Sequence, residues 1–278
     1  MNKLLIFGFG YTAQKLAVTL ERTRWQVIGT SREGGEGVLQ WPGTDMRDAL
    51  AEATHLLISI APDAAGDPVL NALSREIEAV APRLRWAGYL STTGVYGDHG
   101  GGWVDEQTPL KPATKRGELR VAAEAEWQAL AARSGLALHI FRLAGIYGPG
   151  RGPFAKVRRG TARRIIKPGQ VFSRAHVEDI AQVLRASMEN PNPVRIYNVC
   201  DDEAAPPEDV LAYAAELLGL PLPPAQDYDT AEMSAMARSF YAESKRVRND
   251  RIKRELGVKL RYPTYRKGLA ALLASEKQ

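Results

Sequence analysis

Six consecutive residues carry the plainest chemistry in the chain. Gly8-Phe9-Gly10-Tyr11-Thr12-Ala13 reads G-x-G-x-x-A and follows the apolar run Leu4-Leu5-Ile6-Phe7. Such a loop suits the phosphates of a dinucleotide. Gly8 permits a tight turn off a buried strand, Gly10 has no Cβ to hold a pyrophosphate away from the backbone, and Ala13 lets the next helix lie close to a sheet. The N–H groups and positive dipole end of that helix then face the anion. Ala13, Leu16, Ala17 and Leu20 recur at helical spacing, and Trp25-Gln26-Val27-Ile28-Gly29-Thr30 reads as the next strand. Cofactor choice is read where that strand ends. A site for NAD places an acid there for the ribose 2′-hydroxyl, whereas a nearby arginine accommodates the 2′-phosphate of NADP. Here the strand runs into Ser31 and Arg32, with no acid before Glu33. Ser31 can donate a hydrogen bond and Arg32 can pair with phosphate, so NADP is expected ahead of NAD. Trp41, Ile60, Ala61, Pro62 and Leu143 are the further positions expected at the cofactor. No metal site is expected.

These residues need a scaffold, and the pattern around them supplies one. Strand-like runs at Leu4–Phe7, Gln26–Thr30, Val38–Trp41, His55–Ile60, Ala87–Ser91 and Leu136–Arg142 alternate with helix-like stretches near Thr12, Asp45–Glu52, Pro68–Ala81 and Glu118–Arg133. Continuous apolar strands separated by helices predict an α/β fold with a doubly wound parallel sheet covered on both faces. With 278 residues, 45% of them hydrophobic, there is enough chain for one large α/β domain and a smaller lobe. Glycine and proline cluster at His99–Trp103, Gly145–Pro153 and Pro206–Pro224, where the chain is expected to leave the sheet. We expect a dinucleotide-binding domain over 1–146, rejoined by 176–200, and a substrate lobe from 147–175 and 201–278. The apolar runs are too short for a bilayer, and the first ends in a glycine turn with no cleavage pattern. Cys200, the sole cysteine, excludes an internal disulfide and reads as a packed thiol in a strand. A cytoplasmic protein is expected. The net charge is +5, concentrated in Arg151, Lys156, Arg158, Arg159, Arg163, Arg164 and Lys167, with a second, diluted basic segment over 245–267. The first run reads either as a solvated face or as an anion-attracting wall beside a cleft. No nucleic-acid-binding motif accompanies it.

Later segments fall in a familiar order. Leu90-Ser91-Thr92-Thr93-Gly94-Val95-Tyr96-Gly97-Asp98 precedes Asp105-Glu106-Gln107-Thr108-Pro109. Then come Phe141-Arg142-Leu143-Ala144-Gly145-Ile146-Tyr147-Gly148-Pro149-Gly150-Arg151, His176-Val177-Glu178-Asp179-Ile180-Ala181, Tyr197-Asn198-Val199 and Lys245-Arg246-Val247. Together they resemble the extended short-chain dehydrogenase/reductases, the NAD-dependent epimerase/dehydratase group. The resemblance implies an N-terminal Rossmann domain for NAD or NADP and a smaller C-terminal lobe that often binds a nucleotide-sugar. Two departures mark an atypical member. The glycine loop is shorter than the usual G-x-x-G-x-x-G, and the Tyr-x-x-x-Lys pair is missing: Arg116 stands at the tyrosine position and Arg120 at the lysine position.

The resemblance assigns Thr92 to the hydroxyl that polarises the reacting oxygen. A sheet-end hydroxyl bonding the backbone is the other reading of Thr92. Arginine stays charged at neutral pH and cannot take over acid–base work. Arg116 and Arg120, one helical turn apart, could instead hold an anionic substrate or the cofactor ribose. Tyr96, Tyr147 and His176 are the candidates for a relocated proton donor. Two functions stay open: an NADP-dependent atypical reductase or epimerase/dehydratase-like enzyme acting on a small anionic or sugar-like substrate, and a non-catalytic NADP-binding regulatory or sensor protein. A protein partner at the Arg116/Arg120 side is a third. A homodimer is compatible with all of them.

Overall fold

Leu4 and Ile6 point to one side of the first strand and Leu5 and Phe7 to the other, and all four are buried. A strand buried on both faces needs a layer of helices on each, and that requirement shapes the whole molecule. The computed structural model describes residues 1–276. It begins β1 (Asn2–Phe7), α1 (Tyr11–Thr19), β2 (Trp25–Ser31), β3 (Val38–Gln40), α2 (Arg47–Glu52), β4 (His55–Ile58), α3 (Pro68–Val80), β5 (Trp86–Thr92), β6 (Trp103–Val104), α4 (Lys115–Ser134) and β7 (Leu138–Leu143). It continues β8 (Gly145–Tyr147), α5 (Phe154–Arg158), β9 (Arg164–Ile166), β10 (Arg174–His176), α6 (Val177–Glu189), β11 (Arg195–Val199), α7 (Pro207–Leu218), β12 (Ala225–Asp227), α8 (Ala235–Phe240), β13 (Arg246–Val247), α9 (Asp250–Leu256) and α10 (Tyr265–Glu276).

Seven parallel strands form the sheet in the order β3-β2-β1-β4-β5-β7-β11. Strand order reverses between β1 and β4, so a crevice opens beyond their C-terminal ends. On one face α2, α3 and α4 bury Leu5, Phe7, Leu56, Ile58, Tyr89 and Ile140 with Trp127 of α4. On the other, α1, α6 and α9 cover Leu4, Ile6, Leu57, Trp86 and Phe141. The alternation of these residues along each strand is the period-2 rule for a two-sided core. Residues 176–200 supply α6 and β11 to this layer. Within 201–278, α9 buries Ile252 and Leu256 under the sheet rather than in the lobe.

The lobe has its own apolar cluster, built from Tyr147, Phe154, Val157, Ala214, Tyr265, Leu269 and Leu272 on β8, α5, α7 and α10. Three two-stranded parallel pairs, β8–β10, β9–β12 and β6–β13, stitch its loops together. Cys200 is buried and its thiol donates to the Val247 carbonyl at 3.2 Å, as a packed cysteine would. Among the described residues, no helix is long and apolar enough to cross a membrane.

Candidate cofactor and substrate site

The glycine loop lies at the strand-order reversal, and its two glycines have different reasons to be glycine. Gly8 has φ +91°, and a Cβ there would sit 2.9 Å from Ile60 Cγ1 and 3.1 Å from the Ile60 nitrogen. Conformation and the end of β4 both demand glycine at that position. Gly10 caps α1 with φ −92° and would have nothing within 4 Å of an added Cβ. The fold leaves Gly10 free to be any residue, so its missing side chain opens space toward the outside. No acidic side chain occupies the first turn of α1, and no side chain caps it. Its N–H groups at Tyr11, Thr12 and Ala13 are left for an anion. Ala13 is fully buried on the sheet, and the Gly8 N–H is tied to Thr30 Oγ1 at 3.2 Å. Phe9 folds back onto Gly29 of β2, where a Cβ would meet its ring at 2.4 Å. These residues fit a dinucleotide pyrophosphate.

The remaining cofactor positions gather unevenly. Ser31 is half-buried and its hydroxyl donates to the Gly34 carbonyl at 3.3 Å, while Arg32 is exposed beside it. Ile60 and Pro62 are half-buried and Ala61 is exposed beyond β4. Leu143 pairs with Thr92 across β5 and β7 and lines the main cavity. Trp41, expected beside the cofactor, turns inward: its indole packs edge-on against Phe7 at 5.0 Å in the core.

A cavity of about 1190 Å³ runs from Thr12 past Thr92 into the lobe. Arg116, Arg120, Arg151, Lys156, Arg163 and Arg174 lie on its wall. The carboxylates that face it are Glu232 and Glu243, and Glu243 is already paired with Lys245 at 2.5 Å. The basic run is therefore divided. Arg151, Lys156 and Arg163 reach the cavity, whereas Arg158 pairs with Glu276, Arg164 donates to the Pro223 carbonyl and Lys167 to that of Tyr241.

Thr92 ends β5 and caps the short 3₁₀ turn Thr93–Tyr96, its Oγ1 accepting from the Gly94 N–H at 3.1 Å. Its own proton stays available to the cavity. Arg116 and Arg120 of α4 do not act as a pair. Arg116 is exposed, its guanidinium carbon 6.0 Å from the ring centre of Phe240 on α8. Arg120 is half-buried and donates to the Leu90 carbonyl and to Tyr89 Oη at 3.3 Å, with its guanidinium over the Tyr89 ring. Arg120 is thus spent on fixing the end of β5.

None of the three candidate proton donors presents a usable proton to Thr92. Tyr96 is fully buried, donates to Asn198 Oδ1 at 2.7 Å and accepts from Arg142 at 2.9 Å, and burial pushes its phenol up to about 12. The Tyr147 ring borders the cavity, but its hydroxyl points at α10, where a Cβ on Gly268 would lie 2.0 Å from it. His176 caps α6 by accepting from the Glu178 N–H at 3.2 Å and lies against Tyr262, with ring centres 4.0 Å apart. Burial lowers its imidazole to about 4, so it is neutral at pH 7.

A buried polar chain behind the site escaped the sequence reading. Glu124, two turns along α4 from Arg116, is 1% exposed and pairs with Arg142 of β7 at 2.7 Å. Ser91 donates to Glu124 Oε1 at 2.5 Å, and Arg142 continues to Tyr96 and Asn198. The available signal was Arg142 itself, since a charge in the apolar strand Leu138–Leu143 requires a buried counter-charge.

A model of the NAD dependent epimerase/dehydratase family matches residues 79–200. Protein YeeZ of Escherichia coli K12 is 31% identical over 286 residues, covering 95% of this chain and 97% of its own. A functionally unknown conserved protein from Silicibacter pomeroyi, of known structure, is 60% identical with a TM-score of 0.93 over 99% of both chains. MoeE5, solved with UDP-glucose and NAD, shares the fold at 20% identity, with a TM-score of 0.80 over 99% of both chains. The glycine loop at the strand-order reversal and the cavity beyond Thr92 are thus set in a known framework, and the chain belongs to the NAD dependent epimerase/dehydratase family.

Proposed function

We propose that the protein is an NADP-dependent reductase of a small anionic substrate. The cavity carries this reading: it begins at the dinucleotide loop, passes Thr92 and is walled by cations that few carboxylates offset. When bound, the dinucleotide supplies a hydride. Gly8–Ala13 hold its pyrophosphate, and Arg32 with Ser31 faces the adenosine 2′-phosphate. Thr92 donates a hydrogen bond to the substrate oxygen and polarises it. Arg116 pairs with the substrate's negative charge. Epimerisation or dehydration requires a group that both removes and returns a proton at the α4 position, and a guanidinium does neither near neutral pH. Reduction makes the smaller demand, because the single proton it consumes can come from water.

The absence of a proton donor at Thr92 among the three candidates also supports a second reading, an NADP-responsive binding protein without turnover. One experiment serves both. NADPH and NADH are titrated by intrinsic fluorescence on wild type and Arg32→Ala, followed by a panel of carbonyl and nucleotide-sugar substrates with NADPH. The reductase reading expects NADPH to bind about tenfold or more tightly than NADH, Arg32→Ala to erase the difference, and an acidic substrate to be reduced. Tight NADPH binding with no turnover across the panel favours the sensor. Equal affinities for the two nucleotides overturn the NADP assignment.

A further inference from the structure

Tyr11, the first helical residue after the glycine turn, reaches out of the dinucleotide loop to the lobe. Its hydroxyl donates to the Pro149 carbonyl at 3.0 Å, and the Arg151 guanidinium carbon lies 5.8 Å from the centre of its ring. The turn carrying Arg151 is closed by two backbone bonds, Gly148 N–H to Arg151 O at 3.1 Å and Arg151 N–H to Gly148 O at 2.9 Å. It is also seated tightly: a Cβ on Gly148 would lie 2.5 Å from the Tyr11 hydroxyl and 2.7 Å from Val177 Cγ1. The sequence Gly148-Pro149-Gly150-Arg151 therefore places a cation over the phosphate loop from the far side of the cavity.

That cation has no other employment. Among the described residues no carboxylate lies within ion-pair distance of Arg151, its side chain makes no hydrogen bond, and it shares the cavity wall with Thr12 of the loop. The loop in turn lacks a charge of its own. Tyr11, Thr12, Ala13 and Gln14 are neutral, and Lys15 is 2.8 Å from Glu178. A pyrophosphate against α1 would carry two negative charges that no side chain of the loop neutralises.

We propose that Arg151 is a cofactor-binding residue whose guanidinium pairs with the dinucleotide pyrophosphate from the lobe side, held in place by the Tyr11–Pro149 bond. This rests on the dinucleotide reading above and extends it, because the cofactor then touches both the sheet domain and the lobe. Guanidinium–phosphate pairing is charge-assisted and directional, which suits a site whose other donors are backbone N–H groups.

Calorimetric titration with three ligands tests the proposal. NADPH and 2′-phospho-ADP-ribose contain the pyrophosphate, whereas adenosine 2′-monophosphate keeps the 2′-phosphate and has no 5′-phosphate. Arg151→Gln should weaken the first two by about tenfold or more and the third by less than twofold. Tyr11→Phe should show the same selectivity with a smaller loss, and circular dichroism confirms that both variants fold. A loss shared equally by all three ligands, or an Arg151→Gln protein within twofold of wild type for NADPH, overturns the proposal. If wild type binds none of the ligands, the dinucleotide reading itself fails. If wild type binds and Arg151→Gln matches it, only the role of Arg151 does.

Discussion

Removing the Glu124 carboxylate should cost more stability than almost any other single change in the sheet domain. Glu124 and Arg142 are 1% and 3% exposed, 2.7 Å apart, and share no water-facing surface. Glu124→Ala leaves the Arg142 guanidinium in the interior with only the Tyr96 oxygen to meet it, and frees the Ser91 hydroxyl that donated at 2.5 Å. Breaking a buried pair from one side costs about 3–5 kcal/mol. For a chain of 278 residues that is a fall in Tm of roughly 5–9 °C. The double variant Glu124→Leu/Arg142→Leu removes both charges together and should be destabilised by less than the sum of the single variants, with a coupling of about 2–3 kcal/mol. Urea denaturation followed by far-ultraviolet circular dichroism measures all three variants. A Glu124→Ala cost below about 1 kcal/mol, or strict additivity in the double variant, would refute the view that this pair is held as one buried unit.

Two further outcomes follow from the geometry of the loop and the lobe. Gly10→Val should fold with a stability change under about 1 kcal/mol, because φ −92° suits valine and nothing lies within 4 Å, yet lose NADPH binding in the same fluorescence titration; Gly8→Val, at φ +91° against Ile60, should lose several kcal/mol of stability, roughly 3 or more. Burial raises the Asp201 carboxyl from 3.8 to about 8, so the folded protein holds a proton there that the unfolded chain releases near pH 4. Its contribution is complete below about pH 4 and is lost as pH rises through about 8. Wild type should therefore lose stability relative to Asp201→Asn between pH 5 and 9, by on the order of 2–5 kcal/mol, and parallel thermal unfolding curves for the two proteins across that range would contradict it.

The parts that were legible in the sequence are those that local spacing determines. Alternation along Leu4–Phe7 and the helical recurrence of Ala13, Leu16 and Leu20 are properties of a few neighbouring residues, and the sheet, its parallel order and the glycine loop follow from them. Thr92 at a strand end is local in the same sense. What spacing could not carry was the destination of long polar side chains. Arg116 and Arg120 stand one turn apart, but one is exposed beside Phe240 and the other is tied to Leu90 and Tyr89, partners about thirty positions earlier. Trp41 suited a strand-end contact and was claimed instead by Phe7. Tyr147 and His176 carry polar atoms that only the packing of α10 and Tyr262 turns away from the cavity.

The line of residues 116, 120 and 124 on α4 ties these observations together. Successive turns of one helix present an exposed cation, a half-buried cation bonded to the end of β5, and a buried carboxylate bonded to Ser91 and Arg142. Two of the three therefore hold the strand end that carries Thr92, and only Arg116 is left to meet a ligand. A tyrosine and lysine at 116 and 120 would have to share those positions with proton transfer; a pair of guanidiniums instead gives one anchor and one fixed charge. The dinucleotide loop needs neither, since Gly8, Gly10 and the start of α1 are placed by β1, β4 and the sheet. On the function proposed above, the same scaffold keeps its cofactor site while the substrate side changes from moving a proton to holding a negative charge.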